Sequence, residues 1–519
     1  MRRKSIGLLL LPLLAAATAV TLTSSAQATG EDPKLAQILD GILQDARLSG
    51  AQASVTVRDG DTGQTLYDRD ASHRGNPGSN LKILTSAAAM SILGPEYTFG
   101  TQLRATVAPS GGVLNGDLYL RGTGDPTMTA TDYDTMARDL AATGVTKVTG
   151  SLVGDDTWFD STRLGLEWAW DDEGTSWTAE TSALSVNGDT AYNTNTTYIS
   201  VTGGTANGDP VKVTVNPPSS YITVVSTAKT GASMNLGISR DHGSNVVRVN
   251  GTVPAGQTGG NLLSVWQPTG YATDVLRQAL VRNGITVTGA TKLGVKTPQG
   301  STTLVGRKSM PLKQLLKPFL KWSRNMHAEV LVKAIGQEVA GVGSWGAGLE
   351  AVAEYGVSKG VDDGAFALGD GSGLSRRDFI SAADIADVLT NIRSETWYAT
   401  WLDALPVAGN PDYAIGGTLQ NRMKNTAATN NLRGKTGSMT GVSALSGYVT
   451  TADGRHLIFA VQLNDLISEN VKPIEDRIGV ALASYTTAPS KARFTAPDPE
   501  PAPVVPGGVE CSWVVPARC

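Results

Sequence analysis

Three short stretches carry side chains suited to acyl transfer: Ser79-Asn80-Leu81-Lys82, Ser323-Arg324-Asn325 and Lys435-Thr436-Gly437. A serine oxygen with an amine one helical turn away, as Ser79 and Lys82 would be, is a nucleophile beside a possible base. Lys82 can take the serine proton only when neutral. A free lysine titrates near ~10.4, and burial and the positive charge of Lys435 would both lower that value. Ser323 could relay a proton between Lys82 and a leaving amine, and Asn325 could hold Lys82 and a substrate amide. The backbone N–H groups of Ser79 and Ser438 would flank a tetrahedral oxyanion, where one donor is typically worth about 3 kcal/mol in the transition state. Lys435 and Thr436 suit a substrate with a free terminal carboxylate. Gly437 would let the strand backbone lie close to that substrate.

Each motif alone has a bland reading; Ser79 and Lys82 read equally well as a helix cap and a solvated lysine. A decoy exists as well. Ser226-Thr227-Ala228-Lys229-Thr230-Gly231 contains both a Ser-x-x-Lys and a Lys-Thr-Gly, and Ser185-Val186-Asn187 is a second Ser-x-Asn. The decoy fails on chemistry, because its two motifs share the single Lys229 where the site needs two amines in different roles. It also lies between β-branched segments. The set at 79, 323 and 435 has two separate lysines and suitable contexts.

The elements that must position this set follow from hydrophobic periodicity. Residues 33–47 place Leu35, Ile38, Leu39, Ile42, Leu43 and Ala46 on one helical face after Asp32. Residues 51–57 and 64–67 predict a hairpin. Pro77-Gly78 breaks the chain before an apolar, alanine-rich helix that runs to Met90, with Ser79 at its mouth. From 101 to about 300 the chain turns rich in Gly, Thr, Val, Asn and Asp. Helix–Gly–strand units recur there, Leu140 through Gly144 to Gly150 and Leu280 through Gly284 to Gly289. They bracket a segment of short β-branched runs, which predicts an α+β unit interrupted by a β-rich one. After Arg307 helices return: residues 311–320, 326–339 and 345–355, then one opened by Ser381 with Asp384 as its capping-box partner. Residues 441–450 and 456–462 predict two adjacent strands, and 471–485 a closing helix.

Composition bounds the rest. Met1-Arg2-Arg3-Lys4, an apolar stretch from Ile6 to Val20 and Ala26-Gln27-Ala28 make residues 1–28 a predicted secretory signal, too short in its apolar part to read as a membrane span. Export is expected, with no stable membrane span in the mature protein. A mature chain of roughly 490 residues exceeds one core and predicts two to four domains. The net charge is −4, with no basic stripe, so no nucleic-acid partner is expected. The four histidines are scattered and no cluster has metal spacing, so neither metal nor other cofactor is expected. Cys511 and Cys519 would close one small disulfide loop in an exported chain. Residues 489–519 are proline-rich, which predicts an extended tail.

The three motifs are the set found in penicillin-binding proteins and serine β-lactamases, with Arg324 at a position that pattern leaves free. A long insertion separates Ser79 from Ser323. The chain thereby resembles the penicillin-binding protein 4 family of D-alanyl-D-alanine carboxypeptidase/endopeptidases, from about Pro33 to Tyr485. Further matches are Gly122-Thr123-Gly124-Asp125-Pro126, Gly154-Asp155-Asp156, the stretch Ser182 to Asn187, and Asp370-Gly371-Ser372-Gly373-Leu374-Ser375-Arg376. The resemblance implies a mixed α/β fold: a β-lactamase-like transpeptidase domain, its central antiparallel sheet flanked by helices (29–100 and 305–488). It carries an inserted α+β domain (101–178 and 270–304), which itself carries a β-rich domain (179–269). It further implies hydrolysis of the terminal D-Ala-D-Ala bond, or of the peptide cross-link, in peptidoglycan, and acylation by β-lactams that leaves Ser79 as a slow ester. A pocket for the stem-peptide side chain would be lined by Trp170, Asp172, Trp177, Arg376 and Met439. Inter-domain packing by the Trp-rich loop is the alternative for those aromatics, and a structural ion pair for Arg376. A β-lactamase would need a carboxylate that activates water, and no motif marks one. A non-catalytic wall sensor would be expected to lack Lys82, Ser323 or Lys435, and none is lost. A reading in which the inserted domains dominate, as docking surfaces, is the weakest of the three.

Overall fold

The computed structural model describes residues 31–468 and 470–488. The predicted export signal, the proline-rich tail and the Cys511/Cys519 pair lie outside the described residues. A five-stranded antiparallel sheet is the frame. Its order is Thr65–Arg69, Gln52–Asp59, His456–Asn464, Val442–Thr450 and Arg433–Met439. The N-terminal hairpin therefore closes onto the last strands of the chain, with Gln52 opposite Asn464 and Asp59 opposite Leu457.

The strand His456–Asn464 explains why this sheet is buried on both faces. Alternate side chains point to opposite sides. Leu457, Phe459, Val461 and Leu463 join one apolar cluster with Leu35, Leu39, Ile474 and Ile478 from the helices Pro33–Leu43 and Lys472–Ser484. Ile458 and Ala460 join the other, with Leu84, Ala88, Ile385 and Leu389. The first helix is capped by Asp32, whose carboxylate accepts the N–H groups of Lys34 and Leu35. Ser381 and Asp384 form the expected capping box of the helix Ala382–Asn391.

At the centre of the second cluster lies the helix Lys82–Ile92, preceded by a 3-10 turn, Gly78–Leu81. Every residue from Lys82 to Met90 is buried. Its small side chains let the helices Asn325–Ala340 and Trp345–Ser358 pack close.

The insertion is built around a second five-stranded sheet: Thr291–Leu293, Leu152–Asp155, Leu118–Gly122, Gly100–Ala105 and Thr302–Lys308. The repeated helix–Gly–strand units meet here side by side. Thr286–Val287 pairs parallel with Lys147–Val148, and Thr291–Leu293 with Leu152–Asp155. Their helices, Ala130–Ala142 and Pro268–Arg282, are joined by Arg282 on Asp134 at 3.1 Å. Thr302–Lys308 pairs with Gly100–Ala105 over its full length, so the return to the first unit falls after Lys308 rather than at 304/305. The β-rich part holds a three-stranded sheet, centred on Thr196–Thr202, and a four-stranded one, centred on Val246–Pro254. One apolar cluster runs through both parts, joining Leu103, Tyr133 and Leu276 to Ile199, Val201 and Val247. The expected divisions at 178/179 and 269/270 thus mark a change of texture within one core. The decoy's Ser226 and Lys229 are exposed there, and Ser226 Oγ accepts the N–H of Ala228.

Candidate active site

Ser79 lies in the 3-10 turn and not at a helix cap. Lys82, three residues on, is fully buried. Its Nζ lies 2.6 Å from Ser79 Oγ, 2.8 Å from Asn325 Oδ1 and 2.8 Å from the carbonyl oxygen of Ser372. Lys82 Nζ donates to all three; deprotonated, the same amine would keep its hydrogens on Asn325 and Ser372 and turn its lone pair to the Ser79 hydroxyl.

The second serine sits at the tight link between the helices Leu312–Lys321 and Asn325–Ala340. Ser323 has φ +54, a left-handed conformation that costs a non-glycine residue about 1–3 kcal/mol. Its hydroxyl accepts from Lys435 Nζ at 2.8 Å. Lys435 is also fully buried and donates to the carbonyl of Thr436 at 2.8 Å. Asn325 donates through Nδ2 to the carbonyl of Trp177 at 3.0 Å. Arg324 faces away from the site. It is buried and donates to the carbonyl of Ala191 and, at 2.6 Å, to Asn193 Oδ1, with its guanidinium over the Trp322 ring. Arg324 and Asn325 are therefore both tied to the inserted unit.

Lys435, Thr436, Gly437, Ser438 and Met439 lie on the edge strand Arg433–Met439. Thr436 Oγ1 donates to Thr418 Oγ1 at 2.9 Å, and Ser438 Oγ accepts from Lys472 Nζ at 2.7 Å. At Gly437 the strand lies against the nucleophile turn, since a Cβ at this position would lie 2.5 Å from the carbonyl oxygen of Pro77.

Of the five residues proposed for a side-chain pocket, four lie around this strand end. Trp177 lies close enough to Asp172 to favour its charged form. Burial, then the charge of Asp171, pushes the Asp172 carboxyl up against the opposing pull of Trp177 and Arg376. Arg376 makes a hydrogen bond of 2.9 Å to the carbonyl of Thr440, next to Met439. Trp170 is a correction: it is 76% exposed and packs on His242, ring centroids 4.8 Å apart, on the side of the β-rich part. Trp168, from the same loop, does inter-domain packing, edge-on to Trp345.

Sequence reasoning quoted Asp370 without giving it a role. It is fully buried, and one oxygen accepts the N–H groups of Ser372 (2.9 Å) and Gly373 (2.7 Å). The other accepts those of Leu374 (3.1 Å) and Ser375 (2.7 Å) and the Trp168 indole (2.8 Å). One carboxylate thus sets the loop whose Ser372 carbonyl holds Lys82. An Asp followed by Gly-Ser-Gly is the available signal, since such side chains bond backbone two or more residues on. Two further buried acids flank it. Glu329 accepts from Trp345 Nε1 (2.7 Å) and the Gly371 N–H (3.1 Å). Burial first, then the Asp370 charge, pushes Glu329 up to about 8 and Asp378 well above the carboxylate range. His327 is buried against the carbonyl of Tyr192, and desolvation holds it down at about 3, a neutral structural histidine.

A serine nucleophile bonded to a buried lysine, a second serine held by a second lysine, and a sheet edge against the nucleophile turn define a serine hydrolase of the penicillin-binding class. Comparison with known proteins agrees. The model of the D-Ala-D-Ala carboxypeptidase 3 (S13) family matches residues 35–485, and the chain belongs to that family. It is 41% identical to the D-alanyl-D-alanine carboxypeptidase of Actinomadura sp. (strain R39), over 98% of this chain and 94% of that protein. It is 27% identical to the D-alanyl-D-alanine carboxypeptidase DacB of Haemophilus influenzae, over 83% and 89% of the two chains. The crystal structure of penicillin binding protein 4 (DacB) from Haemophilus influenzae superposes with a TM-score of 0.76 at 26% identity, covering 86% of this chain and 99% of that one. The chain is a serine-type carboxypeptidase, a hydrolase.

Two outcomes are expected. Asp370→Asn, which keeps the shape but weakens the loop bonds, should slow acylation of Ser79 by up to about 10²-fold, the scale of a misplaced catalytic group. The check is the acylation rate measured beside thermal unfolding; a loss of stability with unchanged acylation would assign Asp370 to folding alone. Glu329 holds its proton in the folded chain to about pH 8, whereas a free glutamate releases it near ~4.3. Its contribution is therefore fully present at low pH and is lost as pH rises from there through about 8. Glu329→Gln should flatten that part of a stability–pH curve followed by denaturant unfolding.

Proposed function

We propose that this protein removes the terminal D-alanine from peptidoglycan stem peptides ending in D-Ala-D-Ala, through an ester at Ser79. The observation that carries this reading is the 2.6 Å contact of Ser79 with a lysine wholly removed from water. Ser79 Oγ adds to the carbonyl of the scissile bond as its proton passes to neutral Lys82. The N–H groups of Ser79 and Ser438 receive the oxyanion. The C–N bond then breaks, and the departing amine of D-alanine takes the proton from Lys82, with Ser323 as the intermediate relay. Water adds to the ester, losing its proton to Lys82; the acyl C–Oγ bond then breaks, Ser79 Oγ takes that proton back, and the shortened peptide leaves with a new terminal carboxylate. Lys435 and Thr436 bind the substrate carboxylate and Gly437 keeps the strand edge close. Asp172, Trp177, Arg376 and Met439 meet the stem-peptide side chain, where an acid beside an aromatic ring and an arginine suits a zwitterionic amino-acid head.

A β-lactam presents a strained amide next to a carboxylate and would acylate Ser79 by the same first step. One solved structure of the Haemophilus influenzae protein is a complex with a β-lactam. The basic start, apolar stretch and Ala26-Gln27-Ala28 support export and a place of action at the cell wall. Among the described residues, no helix is long and apolar enough to cross a membrane.

Purified protein should take up a fluorescent penicillin and release D-alanine from a D-Ala-D-Ala peptide, and Ser79→Ala should do neither. Equal labelling of parent and variant, or none of the parent, would overturn the assignment. Lys435→Ala should lower turnover of peptides with a free terminal carboxylate by roughly tenfold more than turnover of their amides. Equal losses on both would remove Lys435 from carboxylate binding.

A further inference from the structure

The inserted unit and the far end of the helix Asn325–Ala340 enclose a cleft of about 340 Å³. That size is at the lower end for small-molecule sites, which run from ~300 to 1,000 Å³. Gln337 lines it, and at ~1.5 Å per residue Gln337 lies about 18 Å along the helix from Asn325. The cleft is therefore separate from the Ser79 site.

Its wall is cationic. Arg104, Arg121 and Lys296 face one carboxylate, Asp155. Asp155 is already engaged: one oxygen accepts the N–H (3.1 Å) and hydroxyl (2.7 Å) of Thr157, and the other accepts the Thr297 N–H at 2.7 Å. Arg121 Nε stays 4.0 Å from it, with its guanidinium over the Trp158 ring. Arg104 is fixed by neutral partners, the hydroxyl and carbonyl of Ser301, Gln102 Oε1 and Thr303 Oγ1, which use four of its N–H groups but leave its charge uncompensated, so the paired bonds fall to Arg121. Lys296 is exposed and makes no ion pair among the described residues. Two buried polar atoms of lining residues, Trp158 Nε1 and Thr297 Oγ1, have no hydrogen-bond partner among the described residues, and Thr297 is only 8% exposed.

We infer that this cleft binds an oxyanion, a carboxylate or phosphate, carried on a sugar-sized polar ligand. Guanidinium groups meet such oxygens with paired, charge-assisted N–H bonds. The indole N–H of Trp158 and the hydroxyl of Thr297 supply the neutral donors beside them. The Gln337 amide suits a hydroxyl or acetamido group. This inference stands apart from the reading of the Ser79 site.

The test is ligand-observed NMR on the purified protein with three probes: N-acetylmuramic acid, glycerol 3-phosphate and neutral N-acetylglucosamine. At least one anion should bind and the neutral sugar should not; which anion binds separates a carboxylate from a phosphate source. The Arg121→Ala/Lys296→Ala double variant should weaken that binding roughly tenfold or more, and added salt should weaken it in the parent. Labelling of Ser79 by fluorescent penicillin should stay at the parental level in the double variant. Lys296→Glu, at an exposed position, carries the same test if the double variant does not fold. No binding of either anion, equal binding of the neutral sugar, or binding unchanged in these variants would overturn the inference.

Discussion

Everything at this site depends on three backbone segments meeting almost in contact. The nucleophile turn, the loop set by Asp370 and the edge strand Arg433–Met439 approach so closely that side chains are excluded between them. A Cβ at Gly373, itself at φ +85, would fall on the carbonyl oxygen of Gly78, and one at Gly437 would press on that of Pro77. Only glycine satisfies both positions. The convergence brings Ser79, a carbonyl acceptor for Lys82 and the strand edge within reach of one substrate bond. It also shuts water away from two amines that would otherwise sit ionised in solvent.

Burying those amines is costly unless every hydrogen finds an acceptor. Some acceptors are local and the rest come from distant parts of the chain. Lys82 uses Ser79, Asn325 and Ser372; Lys435 uses Ser323 and the carbonyl of Thr436. Asn325 and Arg324 are in turn held by Trp177, Ala191 and Asn193 of the insertion. The insertion is thus part of the machinery that orients the catalytic groups, and Trp168 on Asp370 adds a second strut.

The chemistry was legible because acyl transfer needs particular side chains, and Ser79, Lys82, Ser323, Asn325 and Lys435 are distinctive by type and order. The sheet and its covering helices were legible from periodicity, and so was the internal duplication around Gly144 and Gly284. The edge position of the Lys435 motif was legible only from the strand that follows it, because Gly434 and Gly437 weaken local β preference and its place comes from pairing with Val442–Thr450. Asp370 was opaque for a different reason. Its partners are backbone N–H groups, which no sequence distinguishes, and an indole 202 positions away. Trp170 and Trp177 look alike in the sequence. Only the path of their loop sends one to His242 and the other to Asn325.

The pairing of Gln52–Asp59 with His456–Asn464 has a temporal meaning. Contacts this distant along the chain form late, since loop closure must precede any gain from them. Ser79 emerges early in synthesis, but the strand it faces and the lysine that holds Ser323 emerge near the end. The nascent chain therefore carries its nucleophile in a latent state. Chemistry that uses Lys435 and the strand edge Arg433–Met439 needs the last strands docked.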